Sequence, residues 1–175
     1  HGIDYFLGRI ARIPIFAAQF RADSEILNFQ SVPASFYMVY ISRKEFFNAA
    51  HRLYNPAWTK EENEACFGPC SNEYFHGHNF ELTVTVAGEP NPMTGFVIDL
   101  KKLGELMKTL IVDRIDHKNL NMDVDFLKGQ MTSCENLVKT FWQILAPEIA
   151  ANSSGRLFKI TLQETHKNYV EYFGD

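Results

Sequence analysis

The stretch NFELTVTVAG, residues 79–88, decides the fold. Its positions alternate strictly: Phe80, Leu82, Val84 and Val86 face one side, and Glu81, Thr83 and Thr85 the other. Successive side chains of a strand point to opposite faces, so a period of two predicts a β-strand with one buried face. Such a face needs a covering layer. The chain supplies one downstream, where the period changes. Leu103, Met107, Leu110 and Ile111 fall at helical spacing and predict a helix starting near Leu100. In TSCENLVKTFWQILAPEI (132–149), Leu137, Phe141, Ile144 and Leu145 give a second helix its apolar face. Thr132 and Glu135 read as a T-x-x-E capping box, and Pro147 is expected to end or kink the helix.

Around these elements, VYISRKEFFNAA (39–50) carries a mixed β pattern that runs into His51. Residues 55–74 are rich in Asn, Pro, Glu and Gly and read as a loop, with a short helical turn at 59–64. EPNPMTG (89–95) is a turn, FVIDL (96–100) is expected to resume a strand, and RIDHKNLNMD (114–123) reads as a loop. LFKITLQET and NYVEYF are two short strands joined by a turn around 166–168. Helices grouped between two sets of strands predict an α+β fold, with both helices on one face of an antiparallel sheet.

A chain of 175 residues supports one well-buried core. Its net charge of −4 argues against a general nucleic-acid binder. Three cysteines (Cys66, Cys70 and Cys134) form no CxxC pair, so a disulfide framework is not expected and a reducing, cytoplasmic compartment is. Cys66 and Cys134 read as structural. No apolar run is long enough to predict a membrane span. IARIPIFAAQF (10–20) is apolar, but Arg12 and Pro14 interrupt it, so it does not read as a signal segment. Residues 1–37 read as an N-terminal extension, and 38–175 as a single domain.

Just before the decisive strand lies CSNEYFHGH (70–78). Residues i and i+2 of an extended segment share a face, so His76 and His78 can converge on one ion. Gly77 between them permits close backbone approach. His51, at the end of the preceding strand, is the candidate third ligand. Three imidazoles and an open position form the donor set of a catalytic zinc. Alternatively, HGH is a polar strand start and His51 a satisfied histidine. Cys70 is a further candidate ligand.

Several segments occur together in an order that resembles the 6-pyruvoyl-tetrahydropterin synthase family: AAHRL, FGPCSNEYFHGHNFELTVTVAG, TGFVIDLKKL, IDHKNLNMD, TSCENL and LQET. The resemblance spans roughly Tyr40 to Gly174. It implies a tunnelling fold, a four-stranded antiparallel sheet with two helices on one face. It further implies homo-oligomers, trimers that close a barrel and pair into a hexamer. The family's substrate is the pterin triphosphate 7,8-dihydroneopterin triphosphate, bound at subunit interfaces beside one Zn2+. The zinc ligands map onto His51, His76 and His78, the general-base cysteine onto Cys70, and its Asp–His partner pair onto Asp116 and His117. The glutamate that anchors the pterin maps onto Glu164, with Thr132 and Ser133 close to the same ring. A carboxylate suits that anchor, because it accepts paired N–H donors from the pterin.

This sequence departs from the tetrahydrobiopterin-pathway pattern at Glu73, which gives C-x-x-E-x-x-H-G-H. That spacing resembles a subgroup in which the glutamate is the base. There the C1′–C2′ bond of the side chain is cleaved to yield 6-hydroxymethyl-7,8-dihydropterin, a folate precursor. A base that takes a proton from carbon leads instead to enolisation, triphosphate loss and the pyruvoyl product. One positioned base is worth about 10² to 10⁴ in rate, so its placement selects the outcome. The leading expectation is therefore zinc-dependent side-chain cleavage with Glu73 as base. The first alternative is 6-pyruvoyl-tetrahydropterin synthase proper, using Cys70. The bacterial 6-carboxy-tetrahydropterin synthase and a non-catalytic pterin-binding protein are the remaining readings.

Overall fold

The computed structural model describes residues 38–175; the N-terminal extension assigned above lies outside the described residues. The alternating stretch forms the middle of β2 (His76–Gly88), which pairs antiparallel along its whole length with β1 (Val39–His51). On its other side β2 pairs with β4 (Arg156–Gln163), and β4 with β5 (Tyr169–Tyr172), both antiparallel. These are the four antiparallel strands that the sequence predicts. The loop reading of residues 114–123 omits β3 (Lys118–Asn119), two residues that pair parallel with Ala49 and Ala50 at the free edge of β1. The sheet order is β3-β1-β2-β4-β5. Two residues cannot display a period, which is why the pattern misses them.

Pleating places Phe80, Leu82, Val84 and Val86 on one face, all with no exposed surface. They meet Leu103, Met107 and Ile111 from the first helical segment, and Leu137, Phe141 and Leu145 from the second. The Phe47 and Phe80 rings stack at 4.8 Å, and Phe141 stands edge-on to Phe47 at 6.5 Å. Truncating such a ring to alanine costs about 3–5 kcal/mol, so this face of β2 carries much of the fold's stability.

Three expectations are corrected. FVIDL is not a strand: Val97 and Ile98 are buried without a ladder, and Asp99 caps α2 (Leu100–Met107) by accepting the Lys101 amide at 2.8 Å. A short apolar run reads the same whether it pairs or merely plugs a core. The helix after α2 continues through a π-turn over Lys108–Val112 and a last turn, α3 (Asp113–Ile115). Pro147 does not end the second helix, since α4 runs from Cys134 to Asn152 with Pro147 inside it. Nor is Thr132 its cap. Ser133 holds the extended N-cap conformation and accepts the Asn136 amide at 3.5 Å. The loop over residues 55–74 does contain its helical turn, lengthened to α1 (Lys60–Phe67), with a capping box between Thr59 and Glu62. Among the described residues no helix is long and apolar enough to cross a membrane.

Candidate metal and ligand site

The apolar face of the sheet ends in histidine. Phe47, Ala49 and His51 alternate along β1 opposite Phe80, His78 and His76 of β2. The register therefore brings all three imidazoles onto the core side, at the end of the sheet. Gly77 lets the two strands approach: a Cβ there would stand 3.3 Å from the Ala49 carbonyl oxygen. One ligating nitrogen from each of His51, His76 and His78 lies within 4.8 Å of the others.

Their electrostatics suit a cation. His51 is buried, and its Nδ1 donates to the Thr132 carbonyl at 2.9 Å, which leaves Nε2 as the lone-pair nitrogen. His51 Nε2, both His76 nitrogens and His78 Nε2 have no hydrogen-bond partner. A buried polar atom without a partner is costly, and a bound ion relieves three such costs at once. Burial is the leading cause that lowers the pKa of each imidazole, so all three are neutral near pH 7, the protonation state that ligates metal. Glu164 Oε1 lies 3.4 Å from His51 Nε2 and 3.6 Å from His78 Nε2. With the imidazoles neutral, these contacts are not ion pairs.

Glu164 also faces a cavity of about 400 Å³, shared with His51, Ser133, Cys134 and Tyr169. A carboxylate, a helix N-cap and one histidine of the cluster thus border a single space. Thr132 does not line it. It is wholly buried, and its hydroxyl reaches Asn121 Oδ1 at 3.1 Å and the Arg52 carbonyl at 3.3 Å. Asn121 in turn bonds both the amide and the carbonyl of Arg52, at 2.9 and 3.1 Å. Thr132 and Asn121 hold the chain behind His51. Asn121 is missed by the sequence reading, since nothing in a turn-dense Asp/Asn segment marks which amide reaches back to β1.

The expected proton-transfer groups stand elsewhere. Cys70 is half-buried in a 3₁₀ turn (Gly68–Ser71), and its carbonyl accepts the Leu53 amide at 2.8 Å, which ties the turn to the chain after His51. Glu73 is exposed and lines a separate cavity of about 560 Å³ with Arg52, Tyr54 and Lys60. Phe75, immediately before His76, adopts φ 64. Asp116 and His117 form a contact pair, with Oδ2 and Nδ1 2.9 Å apart. The Asn48 amide donates to Asp116 Oδ1 at 2.8 Å, and this bond is the main cause that holds the Asp116 carboxyl below the ordinary range. The His117 side chain is 76% exposed, its backbone sits at φ 58, and it borders a third cavity with His78 and Asn79. Phe75 and His117 are the two non-glycine residues with positive φ among those described, and both flank the histidine cluster. Backbone strain concentrates where function demands a particular geometry.

The family model described as 6-pyruvoyl tetrahydropterin synthase matches residues 40–175. The 6-pyruvoyl tetrahydrobiopterin synthase of Pongo abelii is 41% identical over 135 residues, covering 77% of this chain and 91% of that protein. The Homo sapiens protein of the same name is 39% identical over the same length and coverage. Among solved structures, Caenorhabditis elegans 6-pyruvoyl tetrahydropterin synthase superposes with a TM-score of 0.69 at 37% identity, covering 79% of this chain and 96% of that one.

Proposed function

This chain belongs to the 6-pyruvoyl tetrahydropterin synthase family, and from that premise we propose that it converts 7,8-dihydroneopterin triphosphate to 6-pyruvoyl-tetrahydropterin with release of triphosphate. The relatives named above favour this outcome over side-chain cleavage, the leading expectation from the spacing of Glu73. The observation that carries the reading is the convergence of three neutral imidazoles, each with a nitrogen left unpartnered, of which His51 borders one cavity together with Glu164.

In this reading Glu164 accepts the paired N–H donors of the pterin and orients its side chain toward the histidines. His51, His76 and His78 would hold a Zn2+, which would supply Lewis acidity to the substrate's side chain. Cys70 removes a proton from the side-chain carbon, and a thiol does this well only once it is deprotonated. Asp116 orients His117 through Nδ1, so that its Nε2 is free to exchange a proton with the thiol or the substrate. Ser133 borders the ring cavity. The chain assembles as a homohexamer of two trimers. Its support is that the anchor, Glu73 and the Asp116–His117 pair border three separate cavities of one chain.

A second reading rests on Glu73, which faces open space in the same turn region as Cys70. If Glu73 is the base, it takes the 2′-hydroxyl proton, the C1′–C2′ bond breaks, the two-carbon fragment leaves as an aldehyde still carrying the triphosphate, and C1′ takes up a proton to give 6-hydroxymethyl-7,8-dihydropterin. Product analysis separates the two. Zinc-loaded protein given 7,8-dihydroneopterin triphosphate should yield the pyruvoyl product, lost in Cys70→Ala and retained in Glu73→Ala. Hydroxymethyl product with the reverse mutant pattern would establish the second reading.

A further inference from the structure

Cys134 opens α4, and the sequence gives it no task beyond packing. The structure places its thiol 3.6 Å from Glu164 Oε1, with sulfur as donor. Among the described residues this is the one hydrogen bond that the Glu164 carboxylate receives. The same oxygen lies 3.4 Å from His51 Nε2 and 3.6 Å from His78 Nε2. Glu164 therefore stands between two demands, the ligand cavity on one side and the metal-ligating nitrogens on the other.

We propose that Cys134 is a positioning residue: its S–H bond to Glu164 Oε1 fixes the carboxylate, beside the histidine cluster, in the orientation that receives a pterin. The inference rests on the reading of Glu164 as the pterin anchor. Cys134 sits on the first turn of a 19-residue helix, so its Cα is held by the scaffold while Glu164 follows directly on the end of β4. A rigid donor facing a less constrained acceptor sets the acceptor's rotamer, and hydrogen bonds to charged acceptors are the stronger class. Desolvation, and then the nearby Glu164 charge, raise the thiol far above its ordinary pKa, so it remains a proton donor across the working range. Cys134 shares the cavity with Ser133 and Glu164, so its effect falls where the ligand binds.

The test uses zinc-loaded full-length protein, Cys134→Ala and Cys134→Ser, with 7,8-dihydroneopterin as probe. The hydroxyl of Cys134→Ser restores a donor, whereas Cys134→Ala removes it. Loss of one hydrogen bond predicts about three- to ten-fold weaker dihydroneopterin binding in Cys134→Ala, with Cys134→Ser within about two-fold of the parent. Zinc content, measured alongside, reports that each variant is folded. The infrared S–H stretch provides a readout that packing alone does not move. The band that vanishes in Cys134→Ser should lie at the low frequency of a bonded thiol and shift upward in Glu164→Gln. A band at the unbonded frequency, unmoved by Glu164→Gln, overturns the proposal, as does unchanged dihydroneopterin binding in Cys134→Ala. If the band behaves as expected but dihydroneopterin binds to none of the proteins, including the parent, the thiol's hold on Glu164 stands and the pterin reading of the cavity fails.

Discussion

The histidine cluster and the groups proposed for proton transfer are built in opposite ways. His51, His76 and His78 stand on two long, fully paired strands, and their side chains continue the alternation that buries Phe47 and Phe80. Register alone aims them, because a strand that is one face core cannot slip without exposing that face. Cys70, Glu73 and His117 stand on turns, two of them at exposed positions, and the residues with strained backbone lie beside or among them. The lesson is that one chain assembles the proposed binding half of the site by itself. Of the groups proposed to move protons, Glu73 and His117 are presented outward, toward different cavities.

Breaking the comparison at its firm end produces the largest effect. His78→Ala should remove most of the bound zinc, and with it the activity, because a three-imidazole site tolerates no vacancy. Metal analysis of the purified variant checks this. Cys70→Ala should lower kcat about 10²- to 10⁴-fold with zinc content unchanged, which would separate the two halves. Loss of zinc in Cys70→Ala would merge them.

Glu164→Ala comes next. Removing an acceptor of two charge-assisted bonds predicts dihydroneopterin binding weaker by about 10²-fold or more, read by fluorescence titration. Stability of the metal-free protein should also depend on pH in a defined direction. The pKa of each histidine is lowered in the folded state, chiefly by burial, so the unfolded chain binds more protons once the pH falls below about 6.5. Stability is thus undiminished above that pH, is lost as the pH falls from there through the folded values, and levels off below them. Urea unfolding of chelator-treated protein from pH 8 to pH 5 would trace it, and no slope in that window would show the imidazoles to be solvated.

The smallest effect is on stability, at an exposed member of that second group. His117→Gly removes an exposed side chain and relieves a left-handed backbone, so its stability should stay within about 1 kcal/mol of the parent while activity falls. A thermal shift beyond a few degrees would mean that His117 is a structural residue.

The same contrast explains what could be read from the sequence. Alternation from Phe80 to Val86 fixed β2, and because His76 and His78 keep step with it, their shared face was legible too. His51 was legible as the end of a strand, and the register confirms it as the cross-strand partner of His76. What stayed hidden depends on contacts distant along the chain. Thr132 offers its carbonyl to His51 across 81 positions, and no local pattern records such a bond. Ser133 displaced Thr132 as helix cap for the same reason: Thr132 was already claimed by Arg52 and Asn121. Nothing local distinguishes Cys134 from a packing residue, because a thiol in an apolar helix pattern reads as packing and its partner Glu164 lies 30 positions away. The family resemblance supplied roles for Cys70 and Glu73 that the single chain's geometry leaves apart.

X-ray absorption at the zinc edge tests the central claim most directly. The account predicts three imidazole nitrogens at about 2.0–2.1 Å and no sulfur in the metal's coordination shell. A zinc–sulfur distance of about 2.3 Å, or fewer than three imidazoles, would contradict it, because Cys70 or another thiol would then belong to the metal and not to proton transfer.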